Sequence, residues 1–315
     1  MTASLAVDGP ATRLRAAFER TRRDERGALV GCLPAGFPSV EQSVEALRVL
    51  GRHVDVLEVG LPHNNRDLEG SAAYGAWDGT VASGFTVADV LDVVRQVAAT
   101  VNVPVMLMSY WEPIARIGTE PFAAALASAG GAGLVLPGLH PRGPAAARWL
   151  AAAEGRWLAT AFTAAPGARR DAAETSTGWV GLSALTHRPA DQHLRPVSDK
   201  QHLPTQRAAP DGDLLDLANL RGRARMLGHM TTTPICASGG IYSPAMAEAI
   251  APGVDAIAVR SAFVRALQRA RTFDEGLAAL DERAARYAVA VRRGGRTMHA
   301  GPDCDDDRCR TSCAA

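Results

Sequence analysis

Residues 28–60 read ALVGCLPAGFPSVEQSVEALRVLGRHVDVLEVG, and this stretch decides the fold. Ala28–Leu33 and Val54–Val59 are apolar at nearly every position instead of alternating, as strands covered on both faces of a parallel sheet must be. Between them Ser39–Leu50, just after Pro38, carries apolar residues at helical spacing. The same rhythm continues outward. Further strand candidates are Val103–Met108, Gly133–Leu136, Trp157–Phe162, Trp179–Ser183, Pro234–Ser238 and Ala256–Val259. Helical patterns cover Val87–Thr100, Glu120–Ala129, Pro144–Ala153, Leu214–Met230, Pro244–Ala251 and Phe273–Arg293. Eight strands, each followed by a helix or a helical turn, predict an α/β fold of the (β/α)8 TIM barrel type. An open doubly wound sheet is the competing arrangement.

The ends and one insertion fall outside this rhythm. Ala11–Arg26 mixes arginines and acids through a helical pattern, which predicts an N-terminal helix and no signal peptide. His187–Asp213 holds four prolines, three histidines and no period. After the sixth strand of a barrel, such a loop belongs on the catalytic face. From about Gly294 core-forming residues run out, so one domain is expected over 1–293 and a flexible tail over 294–315.

Composition narrows the function. The 315 residues are 47% hydrophobic, enough for a large core, and carry 34 basic against 33 acidic side chains. That balance predicts neither a nucleic-acid binder nor a membrane-surface protein, and no apolar run is long enough to span a bilayer. Five cysteines, an odd and sparse set, point to a reduced cytoplasmic setting. Lys200 is the only lysine and sits in the irregular loop, which disfavours Schiff-base chemistry.

In a barrel the chemistry comes from the carboxyl ends of strands. Val56-Leu57-Glu58-Val59-Gly60 places a carboxylate among apolar neighbours. Burying it unpaired favours its protonated form, which suits a group that gives and takes a proton; the alternative is a core glutamate satisfied by an ion pair. Glu69-Gly70, eleven residues on, offers a second carboxylate. At the other end Ser238-Gly239-Gly240-Ile241 follows a strand and precedes a helix opened by Ser243-Pro244. Backbone N–H groups at such a turn favour an anion. The next strand ends in Arg260-Ser261-Ala262, an arginine and a hydroxyl at the usual barrel phosphate position.

These residues carry a resemblance. Pro34-Ala35-Gly36-Phe37-Pro38-Ser39, Asp55 to Pro62, Asp67-Leu68-Glu69-Gly70, Leu107 to Ile114, Gly239-Gly240-Ile241 and Ser261-Ala262-Phe263-Val264 occur in the order of the tryptophan synthase alpha subunit family, which the chain resembles over Ala28–Val264. The resemblance implies a lyase of tryptophan biosynthesis that splits indole-3-glycerol phosphate into indole and glyceraldehyde-3-phosphate, with no cofactor. Glu58 matches the catalytic glutamate, and Glu69 stands where an aspartate would hold the indole N–H. Tyr110 matches a pocket tyrosine, and Gly240 and Ser261 match phosphate-binding positions.

The departures from the pattern are as informative. Where the family reads Phe-Ser-Asp-Pro the chain has His63-Asn64-Asn65-Arg66, and Gly138-Leu139-His140 lacks a second aspartate. Both changes remove charge from the surface implied to face a beta subunit, so coupling to a standard beta partner is not expected. The mobile Gly-Val-Thr-Gly lid is replaced by Leu185-Thr186-His187-Arg188-Pro189, and a glycine before Ser261 becomes Arg260, which either binds phosphate or obstructs it. The spacings of His187, His193 and His202, and of Cys304, Cys309 and Cys313, are not those of a ligand set, and no metal is expected. Cys32 reads as a small core residue rather than a nucleophile.

Overall fold

The structure, a computed structural model, describes residues 9–62, 84–165, 168–184 and 216–295. Eight parallel strands close on themselves in sequence order: β1 (Ala28–Pro34), β2 (Val56–Gly60), β3 (Val105–Met108), β4 (Gly133–Leu136), β5 (Ala159–Thr163), β6 (Val180–Ser183), β7 (Ile235–Ser238) and β8 (Ala256–Val259). The barrel expected from the alternation is present, and each strand agrees with its expected span to within two residues. Closure leaves no sheet edge for another chain to pair with.

Helices α1 (Pro10–Arg23), α2 (Val40–Leu50) and α3 (Val87–Ala98) belong to the first half, with α4 (Trp111–Ile117), α5 (Thr119–Ser128) and α6 (Pro144–Glu154). The second half has α7 (Arg169–Thr175), α8 (Leu217–Gly228), α9 (Pro244–Ile250), α10 (Ser261–Gln268) and α11 (Phe273–Gly294). Local chemistry sets their starts. The Ser39 hydroxyl accepts from the Gln42 N–H to cap α2, and Ser243 does the same for Met246 in α9. At α3, Thr86 and Asp89 close a reciprocal capping box.

Alternation along the strands divides the core in two. Leu29, Leu57, Val59, Val105, Leu107 and Leu134 face outward and pack beneath the helices. Ala28, Val30, Cys32, Val56, Met106, Ala161 and Cys236 face inward. The interior is thus lined mainly by small side chains. Its floor comes from α1: Leu14, Ala17 and Phe18 join the inner cluster, and the Phe18 ring meets Trp179 edge-on at 6.2 Å. At the same amino-terminal end Arg26 grips Asp55 through two 2.8 Å bonds, while the Leu29 N–H donates to the same carboxylate. That pair raises the Arg26 pKa. This end serves stability and leaves the opposite mouth for chemistry.

Candidate active site

Glu58 is the central residue of β2 and points into the barrel, with 5% of its side chain exposed. Its register partners are Cys32 on β1 and Met106 on β3. Arg260 stands one residue beyond the last registered β1–β8 pair, Gly31 with Val259. Its guanidinium spans the position of β1, and Nη2 donates to Glu58 Oε1 at 2.8 Å. A buried carboxylate was expected to be catalytic or ion-paired, and it stands in an ion pair. The partner is a guanidinium 202 residues away in sequence, which offsets part of the cost of burying the carboxylate.

The thiols below respond to this pair. Burial pushes the Cys32 thiol well up; the Glu58 charge adds to the rise and Arg260 opposes it. Burial also pushes Cys236 well up, with Glu58 again adding. Both are neutral, buried side chains, as a core role for Cys32 predicts.

The anion elements stand beside Arg260. Ser238 on β7 registers with Ala258 on β8, so the turns after the two strands are neighbours. Gly239 and Gly240 both have positive φ, 81° and 67°, which curls the backbone tightly ahead of Ser243 and α9. Gly240 is buried, and its N–H donates to no acceptor among the described residues. The first N–H groups of α10, on Ser261 and Ala262, are likewise open, as helix N-termini leave them. The Ser261 hydroxyl has no partner among the described residues. The two turns thus lie side by side at one end of the barrel, each with open N–H groups.

Tyr110 follows β3 and N-caps α4, half-buried on the outer core at the same end of the barrel. Buried Ser109 fixes it from behind, its hydroxyl donating to the Tyr110 carbonyl at 2.9 Å. The structure therefore joins Glu58 directly to Arg260 and brings Gly240 next to Ser261. Glu69 lies outside the described residues, as do His63, Asn65, Lys200, the loop histidines and the three tail cysteines.

One supporting residue had no signal in the sequence reading. Tyr287 of α11 is fully buried, and its hydroxyl donates to the Ile241 carbonyl at 3.3 Å, one residue past the glycine turn. Its ring stacks edge-on against Phe263 of α10 at 5.4 Å. A single side chain thus braces both the glycine turn and α10. A tyrosine inside a long amphipathic helix reads only as core; its carbonyl partner is visible only in the fold.

A closed barrel with a buried, ion-paired carboxylate in its interior and open N–H groups at the turns after β7 and β8 defines a class: a (β/α)8 enzyme. The sequence profile of the family described as tryptophan synthase alpha chain matches residues 18–181. The tryptophan synthase alpha chain of Salinispora arenicola is 34% identical over 281 residues, which cover 88% of this chain and 96% of that one. That of Streptomyces coelicolor is 34% identical over 276 residues, covering 86% and 93%. A solved structure of Mycobacterium tuberculosis tryptophan synthase superposes with a TM-score of 0.72 at 30% identity, over 89% of this chain and 98% of that one. The chain belongs to the tryptophan synthase alpha chain family.

Proposed function

We propose that the protein is a carbon–carbon lyase that converts indole-3-glycerol phosphate to indole and glyceraldehyde-3-phosphate by general acid–base retro-aldol chemistry. The observation that carries this reading is Glu58, buried inside the barrel and paired with Arg260, the residue before Ser261. In the protonated form Glu58 gives its proton to the ring carbon that bears the side chain. Glu69 holds the indole N–H as positive charge develops in the ring. The carboxylate left on Glu58 then takes the proton of the adjacent hydroxyl. The carbon–carbon bond breaks, its electron pair returns to the ring, and the aldehyde forms. Glu58 ends protonated, so the proton count closes. Tyr110 flanks the ring, while Gly240, Ser261 and Arg260 hold the phosphate. No lysine takes part, consistent with Lys200 as the only one.

Indole release by the purified chain, measured with and without a beta subunit, tests the reading. Glu58→Gln should lower the rate about a thousandfold while leaving thermal unfolding unchanged. If no mixture releases indole, the assignment is wrong. Arg260, at a position where the family has glycine, favours a second reading in which the same carboxylates act on another indole or polyol phosphate. A panel of such phosphates separates the two.

We also infer weak coupling to a beta subunit. Beyond Gly138-Leu139-His140, Arg142 is held by two carboxylates of α7, Asp171 at 2.7 Å and Glu174. The turn is tied within the chain, and an added beta subunit should leave the rate of indole release unchanged.

A further inference from the structure

Arg260 has its root in one site and its head in another. Its backbone is the residue before Ser261, so it belongs to the turn that offers α10's open N–H groups to an anion. Its guanidinium instead lies on Glu58, at 2.8 Å. A quarter of the arginine side chain is exposed against one-twentieth of the glutamate, so the cation stands between the buried carboxylate and the mouth. This contact conflicts with the first chemical step. The guanidinium covers the Glu58 oxygen that would have to reach the ring. Arginine does not deprotonate in proteins, so no accessible pH dissolves the pair by removing its positive charge. A competing anion does: a phosphate offers two oxygens to the planar fork and two negative charges where the carboxylate has one.

We propose that Arg260 changes partners during turnover, leaving Glu58 for the phosphate of the arriving substrate, so that a phosphorylated ligand alone releases Glu58 for proton transfer. Arg260 is then a specificity-determining residue that acts through the carboxylate it vacates. Once the cation has left, the cost of a bare charge in the barrel drives Glu58 to take up one proton from solvent. No other bond changes in that exchange. The inference rests on the retro-aldol reading for its consequence, though the exchange itself requires only phosphate.

Two measurements test it on the full-length chain. In the first, infrared difference spectra are recorded with glycerol 3-phosphate, a ligand that cannot be cleaved to indole. The carbonyl stretch of a protonated carboxyl should grow in as the ligand binds, and Glu58→Gln should lack it. Arg260→Gly should show the band before any ligand is added, with Arg260→Lys as a variant that retains positive charge. Binding without a new band overturns the proposal, as does an Arg260→Gly spectrum without the band in a chain whose circular dichroism shows it folded.

In the second, cleavage of dephosphorylated indole-glycerol is followed with inorganic phosphate added separately. Phosphate should accelerate the wild type at least tenfold, whereas Arg260→Gly should start faster and gain less than twofold. Equal activation of both proteins overturns the exchange. Were no substrate cleaved at all, the retro-aldol reading would fall while the infrared result still decided the exchange.

Discussion

At the scale of single residues, Tyr287 has a measurable signature in base. Burial raises its hydroxyl pKa to about 12 from an ordinary value of 10. The unfolded chain therefore loses this proton first. The stabilising contribution is complete below pH 10 and is lost as pH rises toward 12. In Tyr287→Phe this share of the alkaline loss of stability, read from urea unfolding across that range, should disappear. The same substitution leaves the buried Ile241 carbonyl without its donor, at a cost of about 1–2 kcal/mol at neutral pH. Because the glycine turn loosens, KM for the phosphorylated substrate should rise about fivefold with kcat little changed.

The residue scale is also where sequence reading divides most sharply. Glu58 was legible because a carboxylate inside an apolar strand is anomalous on its own. Arg260 was legible as an unusual cation at a phosphate position, but its grip on Glu58 was not, since the two meet only when β8 closes against β1. Tyr287 carried no signal, because its spacing is that of any core aromatic in a helix.

At the scale of elements, packing tightness sets what the barrel tolerates. Gly133 begins β4, and a Cβ there would lie 2.1 Å from the Ala159 carbonyl oxygen of β5. Backbone is on the other side of that contact, so no side-chain rotation relieves it. Gly133→Ala should destabilise the protein by about 3 kcal/mol, seen as a lower urea midpoint with an unchanged slope. Behind this pair α6 is fixed by the Trp149 indole, which donates to the Thr160 hydroxyl at 2.9 Å and meets the Phe122 ring of α5. Long elements such as α2, α3 and α11 were legible from period alone. The seven-residue helices α4 and α7 were not, being two turns long with too few positions to reveal a period; α9, of the same length, was legible because Ser243-Pro244 marks its start. Gly118, at φ 95°, separates α4 from α5.

At the scale of the whole molecule, the N-terminal helix is part of the core although it precedes the first strand. Leu14 and Phe18 are almost wholly buried against the inner face of the barrel. A chain starting at Gly27 should bind a hydrophobic dye and unfold over a broadened transition, because apolar residues at the amino-terminal ends of the strands lose their cover. A sharp melt without dye binding would show α1 to be dispensable. The same helix bears on how the site is hydrated. With its floor stopped by Leu14 and Phe18, the barrel is closed at its amino-terminal end, and Glu58 is approached from the other. A group that reaches Glu58 therefore enters from that end, so ligand and solvent share one route to the carboxylate.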